Sequence, residues 1–167
     1  YGNLQRILHY LWIIPMKRTK IQSWEDKFLP RLKKIHKNFA KKIFHRLMKK
    51  SSTLKSSLKR RSKEYEVICK ISLNEIRQLF LQAYGRKCKY CERLLVVSNI
   101  VCDHIKPLSD GGDSVINNLQ IICDRCNTRK GSLSHRDYNK LLHWLEKQSI
   151  DMKEYVLRKL AKGDVFK

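Results

Sequence analysis

The chain has 167 residues and a formal net charge of +22, with 37 Lys and Arg against 15 Asp and Glu. This length suits one domain of ordinary size with room for an extension. Residues 4–14 are apolar, but they are too few for a membrane span and are interrupted by Arg6 and His9. With no secretory segment recognisable, we predict an intracellular protein that is neither secreted nor membrane-spanning. Because the sequence starts with Tyr1 rather than Met, we expect a fragment or a processed product.

Positive charge is concentrated in the first part of the chain. Of the 37 basic residues, 19 precede Glu64, where Glu25 and Asp26 are the only acidic residues. The remainder carries 18 basic and 13 acidic residues and is nearly balanced. A basic extension joined to a balanced domain indicates a polyanionic partner.

Residues 1–50 are predicted to form a basic, largely helical N-terminal arm. Ser23 is a possible N-cap for a helix over residues 24–50, and Pro30 is a second possible start. Apolar residues recur every three or four positions along it: Phe28, Leu32, Ile35, Phe39, Ile43 and Leu47. Lysines cover the other faces, among them Lys33, Lys34, Lys41 and Lys42. The pattern fits nucleic-acid phosphates, an anionic membrane surface or a partner helix.

Residues 51–63 have the composition of a flexible basic linker, and a second domain is predicted over residues 64–167. It opens with a short strand over residues 65–71. A capping box formed by Ser72 and Glu75 then begins a helix, which Gly85 ends. Two further helices are predicted after Gly131, from apolar residues at helical spacing.

Two matched pairs of cysteines, Cys88/Cys91 and Cys123/Cys126, lie in this domain. Each Cys-x-x-Cys pair can bend onto one metal ion, and two pairs complete a tetrahedral four-cysteine zinc site. Disulfides suit small secreted chains, and a redox Cys-x-x-Cys normally occurs once in a βαβ context, so we favour structural Zn²⁺. The other two cysteines are expected in buried strand positions.

Between the pairs, the sequence predicts strand, strand and helix. Residues 94–97 and 100–102 are rich in β-branched side chains and are separated by Ser98-Asn99, which predicts a hairpin. Asp103-His104 ends the second strand, and Gly111-Gly112 lies in the loop that follows. From Asn118 the apolar residues have helical spacing, which predicts a helix that ends before Gly131.

This stretch resembles the HNH endonucleases, in which a ββα-metal motif is often accompanied by two zinc-binding Cys-x-x-Cys pairs. The segments CKYC, CDHIKPLSDGGD, NNLQIIC and CNTRKG stand in the family's order and approximate spacing within residues 72–131. The resemblance implies that the three named positions of the family are His104, Asn118 and Asn127. It also implies an α+β fold with a small, treble-clef-like ββα-metal core, flanked by helices and preceded by the basic arm.

The chemistry of phosphodiester hydrolysis suits these residues. The reaction needs a base to deprotonate water and a cation to stabilise the developing charge, and histidine has a suitable pKa, so His104 is the candidate base. A hard ion such as Mg²⁺ or Mn²⁺ prefers oxygen ligands, which Asp103 and the amide of Asn127 would supply. By resemblance, Asn118 would bond the backbone of the Asp103-His104 loop and orient it.

Basic residues near this motif are candidates for phosphate contacts. Arg125, Arg129 and Lys130 follow the last cysteine pair and could hold the DNA backbone. Beside a nuclease-like domain, the arm lysines at 33, 34, 41 and 42 are also assigned to nucleic acid. DNA is the expected partner, with RNA or a nucleoprotein as alternatives for the arm.

The sequence therefore predicts a metal-dependent HNH endonuclease that hydrolyses DNA, of homing, phage or restriction type. One alternative keeps the fold without the chemistry, as a zinc-dependent nucleic-acid-binding module in a larger nucleoprotein assembly. Another is a basic structural or membrane-associated protein with an incidental zinc site, which leaves Asp103-His104 and Asn127 unexplained.

Overall fold

The structure is a computed structural model that describes residues 26–32 and 37–162. After a short 3-10 turn at Leu29–Leu32, the described chain forms, in order, α1 (Lys37–Glu64), β1 (Cys69–Lys70), α2 (Leu73–Ala83), β2 (Ile100–His104), β3 (Ser114–Val115), β4 (Leu119–Cys123), α3 (Asp124–Lys130), α4 (His135–Glu146) and α5 (Ile150–Lys162). Two more 3-10 turns, Leu108–Asp110 and Ile116–Asn118, flank β3. The helices and small sheets of the described chain form a mixed α+β fold, as predicted.

The packing divides the chain into two compact units, Tyr1–Phe44 and His45–Lys167. In the first, the rings of Phe28 and Phe44 lie 6.0 Å apart and both are buried. Phe39, which was predicted on the apolar stripe, is exposed. The second unit begins at His45 rather than at residue 64, so it includes most of α1.

The prediction of a flexible linker over residues 51–63 is wrong, because these residues form the second half of α1. One face of this second half of α1 is buried: at most 2% of the surface of Ser51, Leu58 and Ser62 is exposed to solvent. Serine favours turns because its hydroxyl competes for backbone groups. Here the hydroxyl of Ser51 donates to the carbonyl of Leu47 one turn earlier, at 2.8 Å, and the buried face supplies the packing that composition does not reveal.

The central sheet pairs β2 with β4 in antiparallel register, from Ile100 opposite Cys123 to His104 opposite Leu119. The predicted hairpin between residues 94–97 and 100–102 is therefore wrong. So is the predicted helix start at Asn118, because residues 119–123 are a strand and α3 begins only at Asp124. A short apolar run fits both a buried strand and a buried helix, and its β-branched residues, Ile121 and Ile122, favour the strand.

Residues 94–95 close the first cysteine loop instead of forming a hairpin strand. The backbone N–H of Leu95 donates to the carbonyl of Arg86 at 2.8 Å, and that of Gly85 donates to the carbonyl of Leu95 at 2.8 Å. The side chain of Asn99 accepts from the N–H of Val96 at 2.9 Å, which forms the turn into β2. The local turn was predicted, whereas the pairing partner of β2 was not.

The flanking helices complete the second unit. The Ser72–Glu75 capping box predicted at the start of α2 is confirmed, since each residue bonds the other's backbone. The two helices predicted after Gly131 are α4 and α5, and α5 packs against α3. Ile76 of α2, Ile100 of β2 and Ile122 of β4 are fully buried, and each stabilises the fold by about 1.5–3 kcal/mol. Among the described residues, no helix is both long and apolar enough to cross a membrane.

Candidate functional site

The cysteines of the two pairs form one cluster. The sulfur atoms of Cys88, Cys91, Cys123 and Cys126 all lie within 4.8 Å of one another, and those of Cys91 and Cys123 are 3.5 Å apart. Zinc–sulfur bonds of about 2.3 Å in a tetrahedron place the sulfur atoms about 3.8 Å apart, so this donor set fits Zn²⁺. Hydrogen bonds, first from the thiol of Cys126 and then from backbone amides, lower the pKa of Cys88 to about 4 although its burial acts in the opposite direction.

The remaining cysteines lie outside this cluster. Cys69 is on β1 and Cys102 is on β2, as predicted, although both thiols are half-buried rather than buried. The ββα unit formed by β2, β4 and α3 carries the second cysteine pair at the junction of its last two elements. Metal at the cluster would therefore tie the start of α3 to the loop at residues 88–91.

The last two residues of β2 point to opposite faces of the strand, because side chains alternate along a strand. On one face, Asp103 is 8% exposed and its carboxylate lies against Lys130 of α3. The ammonium of Lys130 donates to the carboxylate at 3.1 Å and to the backbone carbonyl of His104 at 2.9 Å. Lys130 is itself only 1% exposed, so the Asp103–Lys130 ion pair is buried.

A second contact on this face runs from Asp103 to the first cysteine loop. Gln120, opposite Asp103 in the sheet, donates from Nε2 to Oδ2 of Asp103 at 2.7 Å and to the hydroxyl of Tyr90 at 2.9 Å. Burial raises the pKa of Tyr90 to about 12, so its hydroxyl keeps its proton and can donate to Nδ1 of His135, 2.7 Å away. Lys89 completes the amide's bonds by donating to Oε1 of Gln120 at 2.9 Å.

On the other face, His104 is 6% exposed and contacts a serine of β3. Its Nε2 lies 3.0 Å from Oγ of Ser114, which in turn accepts from the hydroxyl of Ser62 on α1 at 2.7 Å. Burial, followed by the positive charge of Arg61, lowers the pKa of His104 to about 4, although the charge of Asp103 acts in the opposite direction. The imidazole is therefore neutral at neutral pH.

Asn118 bonds the loop that follows β2. Its Oδ1 accepts from the N–H of Lys106 at 2.8 Å, and its Nδ2 donates to the carbonyls of Lys106 at 3.0 Å and Asp113 at 2.8 Å. The loop approaches itself closely here, because a Cβ on Gly112 would lie 2.0 Å from the carbonyl oxygen of Lys106. These bonds reach Lys106 and Asp113 rather than the backbone of Asp103 and His104.

Asn127 lies on α3, directly after Cys126 and one turn before Lys130. Its side chain is half-buried and makes no hydrogen bond among the residues that the structure describes. The structure brings Asp103 to the same helix through Lys130, but no described hydrogen bond joins Asn127 to Asp103 or His104. Because no described residue bonds to it, the side-chain oxygen of Asn127 is available to act as a metal ligand.

The predicted phosphate-binding residues have different surroundings. Arg125 is exposed, and Arg129 is half-buried with a buried Nε atom that has no hydrogen-bond partner in the part of the chain that the structure describes. Lys41 and Lys42 are exposed on α1, whereas Lys33 and Lys34 lie outside the described residues. Lys130 contradicts the prediction, because its ammonium is buried against Asp103 and cannot contact a phosphate in this arrangement.

Ser62, Ser114, Gln120 and Tyr90 were not predicted from the sequence, and His135 was not assigned to the site. The contact of Gln120 with Asp103 follows from the pairing of β2 with β4, for which a hairpin and a helix were predicted instead. Ser62 and Ser114 are 52 positions apart, and neither has a local signal that relates it to His104.

Comparison with known proteins agrees with this geometry. Residues 88–133 match the family model described as HNH endonuclease, a segment that contains both cysteine pairs, Asp103, His104, Asn118 and Asn127. A comparison of the chain with curated proteins gave no match. The match, the ββα unit and the cysteine cluster agree, so the chain carries an HNH endonuclease domain at residues 88–133.

Proposed function

We propose that this protein is a metal-dependent endonuclease that hydrolyses DNA phosphodiester bonds. The observation that carries the proposal is the end of β2, where the buried, neutral His104 follows Asp103, and the carboxylate of Asp103 contacts Lys130 of α3. The same helix carries Cys126 of the four-cysteine cluster and, directly after it, Asn127, whose side-chain amide makes no hydrogen bond with any residue that the structure describes. This combination supplies a base and hard oxygen donors within one segment of the HNH family. A homing, phage or restriction-type setting inside the cell is the context we propose for it.

His104 would act as the general base. Because burial keeps its imidazole neutral, it can accept a proton from the attacking water without first losing one to solvent. The water oxygen forms the new bond to phosphorus, the bond from phosphorus to the leaving oxygen breaks, and the leaving oxygen takes up a proton. A pKa held well below neutrality makes His104 a weak base in the resting protein, so contact with the substrate must favour its protonated form during the reaction.

Asp103 and Asn127 would hold the catalytic Mg²⁺ or Mn²⁺, since both offer hard oxygen ligands. When bound, such an ion stabilises the negative charge that develops on the leaving oxygen. The carboxylate of Asp103 has about four lone-pair sites, of which Lys130 and Gln120 occupy about three. The donor set thus fits one ion, and the ammonium of Lys130 competes with that ion for the same carboxylate.

The four cysteines would bind Zn²⁺ in a purely structural role. Four thiolates fill a tetrahedral site and leave no position for water or substrate. Because Cys126 directly precedes Asn127, zinc would also fix the direction in which that amide points. Asn118 would hold the loop after β2 in one conformation through its three backbone hydrogen bonds.

Arg125 and Arg129 of α3, with the arm lysines at 33, 34, 41 and 42, would bind the DNA backbone. Contacts with phosphate position a duplex without reading its sequence, and each neutralised phosphate contributes about −0.9 to the slope of log affinity against log salt. Lys130 is not included among them, because its ammonium is buried.

Plasmid cleavage with Mg²⁺ or Mn²⁺ tests the function. Wild type should cut, whereas His104→Ala and Asn127→Ala should bind DNA and retain zinc but cut at least about 100-fold more slowly, as expected for loss of a catalytic base or metal ligand. His143→Ala is the matched control, since His143 is an exposed histidine on α4 that should be dispensable. Full cleavage by either site variant would contradict the assignments.

A second candidate function is nucleic-acid binding without cleavage. The burial of His104 and the occupation of Asp103 by Lys130 favour it, because a closed site binds no substrate at the reacting atoms. It predicts a zinc-loaded wild-type protein that binds DNA or RNA tightly but cuts neither with any divalent ion.

A further inference from the structure

We propose that a cavity between α1 and β2 holds an unstacked base of the bound DNA, while the basic side chains at its mouth contact the neighbouring phosphates. The preferred substrate is then DNA that carries an unpaired nucleotide, rather than DNA that is paired throughout. The inference rests on the nucleic-acid binding in the proposed function and does not depend on the cleavage step.

The cavity lies where the first half of α1 passes over the start of β2. Its volume is about 480 Å³, within the range of about 300–1,000 Å³ that is usual for sites of small ligands. None of its lining residues is assigned to the cysteine cluster or to the proposed catalytic site. Side chains of α1, α2, the segment before β2 and β2 itself form its apolar wall: Leu54, Phe80, Val97, Ile100, Val101 and Cys102.

Positive charge surrounds the mouth of the cavity. Arg46, Lys49 and Lys50 line it, and their spacing of three and four residues places them on one face of α1. Arg46 and Lys49 are exposed, and neither side chain has a hydrogen bond or an ion pair among the residues that the structure describes. Burial lowers the pKa of Lys50, an effect that Asp124 opposes and Arg46 reinforces, so the charge of Arg46 reaches this lysine. Such a group of cations suits phosphate.

The α1 side of the cavity also carries polar groups that can form further hydrogen bonds. The ammonium of Lys50 donates to the carbonyl of Ile100 at 3.0 Å and has two more protons to donate. The hydroxyl of Thr53 donates to the carbonyl of Lys49 at 3.2 Å and can still accept. The half-buried hydroxyl of Ser57 has no hydrogen-bond partner in the described part of the chain. A ligand here meets apolar surface on one side and hydrogen-bonding groups on the other.

These features together favour a nucleotide base as the occupant. A base has two apolar faces and a polar edge, and its sugar connects it to phosphate. A fatty acid has an acidic head but no polar group along its chain, so it would leave the hydroxyl of Ser57 without a partner. Bases in a duplex are stacked on one another, and a base must leave the stack before it can enter a protein cavity. The cavity therefore favours DNA with an unpaired nucleotide.

Fluorescence tests the inference with the zinc-loaded full chain and without Mg²⁺ or Mn²⁺. Two duplexes share a strand that contains 2-aminopurine, which is paired in one duplex and left as a single-base bulge in the other. Wild type should bind the bulged duplex at least about fivefold more tightly, the lower end of what stacking of one base contributes, and should shield its 2-aminopurine from quenching by acrylamide. Equal affinity for the two duplexes, or an unshielded base, would overturn the inference.

Matched variants of α1 locate the base. Ser57→Leu fills the cavity and should abolish the preference and the shielding, whereas Ser56→Leu adds the same side chain at an exposed position outside the cavity and should keep both. Lys49→Gln changes an exposed residue at the mouth, so it should fold normally and weaken binding of the bulged duplex more than of the paired one. Lys59→Gln, at an exposed lysine outside the cavity, should leave that ratio unchanged. Equal effects within each matched pair of variants would contradict binding at this cavity.

Three further outcomes separate the inference from the proposed function. Wild type that cuts paired DNA with Mg²⁺ but has no preference for the bulge would leave the function standing and overturn the inference. Wild type that shields the unpaired base but cuts no DNA would sustain the inference while the proposed cleavage fails. Binding of dodecanoate that Ser57→Leu abolishes, with the preference for the bulge unchanged, would assign the cavity to an acyl anion and overturn the inference.

Discussion

The two side chains at the end of β2 are supported by different parts of the molecule. The carboxylate of Asp103 accepts hydrogen bonds from Lys130 and Gln120, and Gln120 also donates to Tyr90. All of these residues lie in the matched segment 88–133. The imidazole of His104 is hydrogen-bonded to Ser114, which is hydrogen-bonded in turn to Ser62 of α1. Ser62 precedes the matched segment by 26 positions. The Asp103 face thus depends on charge within the HNH domain, whereas the His104 face depends on a helix outside it.

The difference teaches that the family motif is not a complete site. A buried carboxylate needs a cation or several hydrogen-bond donors, and the matched segment provides them through Gln120 of β4 and Lys130 of α3. A buried neutral histidine needs only one fixed partner, which a distant element can supply. The two faces should consequently respond to different perturbations.

Removal of zinc should have the largest effect, because it disrupts the support of both faces. A structural zinc site contributes on the order of 10 kcal/mol to folding, so a strong chelator should abolish the near-ultraviolet circular dichroism of the chain. Zinc content measured in parallel should fall with the signal. Cys102→Ser, which changes a half-buried cysteine outside the cluster, should retain its zinc. A chelated protein that keeps its fold would contradict the assignment of the cluster.

Lys130→Met should damage the Asp103 face alone. It leaves the buried carboxylate of Asp103 without its ammonium, a loss that typically costs about 3–5 kcal/mol, so urea denaturation should show a lower free energy of unfolding. Added Mn²⁺ should restore part of that stability if Asp103 binds the catalytic ion, since ligand binding to the folded state stabilises it. Lys140→Met, at a surface lysine near Asp137, is the matched control. Equal stability of the two variants without metal would show that the ion pair is dispensable.

Mild acid should weaken the His104 face. The folded pKa of His104 is about 4, below its ordinary 6.5, so the unfolded chain binds more protons between these values. Stability associated with the neutral imidazole is therefore present above pH 6.5 and is lost as the pH falls. Over the first pH unit below 6.5, wild type should lose about 1 kcal/mol more than His104→Gln, measured by urea denaturation with zinc content checked. Parallel curves for the two proteins would contradict a buried neutral histidine.

Removal of a single exposed positive charge should have the smallest effect, a modest loss of DNA affinity. Such substitutions on α3 and on α1 compare these two helices as DNA-binding surfaces. Arg125→Gln on α3 and Lys42→Gln on α1 each remove one exposed positive charge. Each variant should reduce the slope of log affinity against log salt by about 0.9 if that residue neutralises a phosphate. Fluorescence anisotropy over a range of salt concentrations measures the slope. A reduction for Arg125→Gln alone would assign DNA binding to the HNH domain and leave α1 as its support.

Local chemistry made part of this site predictable. The capping box of α2 depends on residues three positions apart, and the four-cysteine cluster depends on two short spacings, so both were predicted from sequence and the structure bears them out. The end of β2 was located at Asp103-His104 because a polar pair follows a β-branched run. In each case the interaction involves residues close in the chain or ligands brought together by one ion.

Errors arose where a segment could satisfy two patterns. Leu119–Cys123 fits a helical face as well as a buried strand, and only its pairing with β2 decides between them. Ser51 to Lys63 has a linker composition, yet one face of it is buried and helical because the rest of the unit packs against that face. Lys130 was assigned to phosphate because it follows the last cysteine pair beside the proposed phosphodiester site, and its burial depends on a carboxylate 27 positions earlier in the chain.

The sequence by itself determined the chemistry that this protein can carry: a thiolate metal site, an adjacent Asp-His pair and a basic N-terminal region. Those features are properties of residue types at short spacing, which survive any arrangement of the surrounding helices. Only the tertiary structure decided that Asp103 is paired with Lys130 and that His104 is backed by Ser114 and Ser62. These contacts join residues far apart in sequence, and their formation depends on strand pairing and burial that no local pattern encodes.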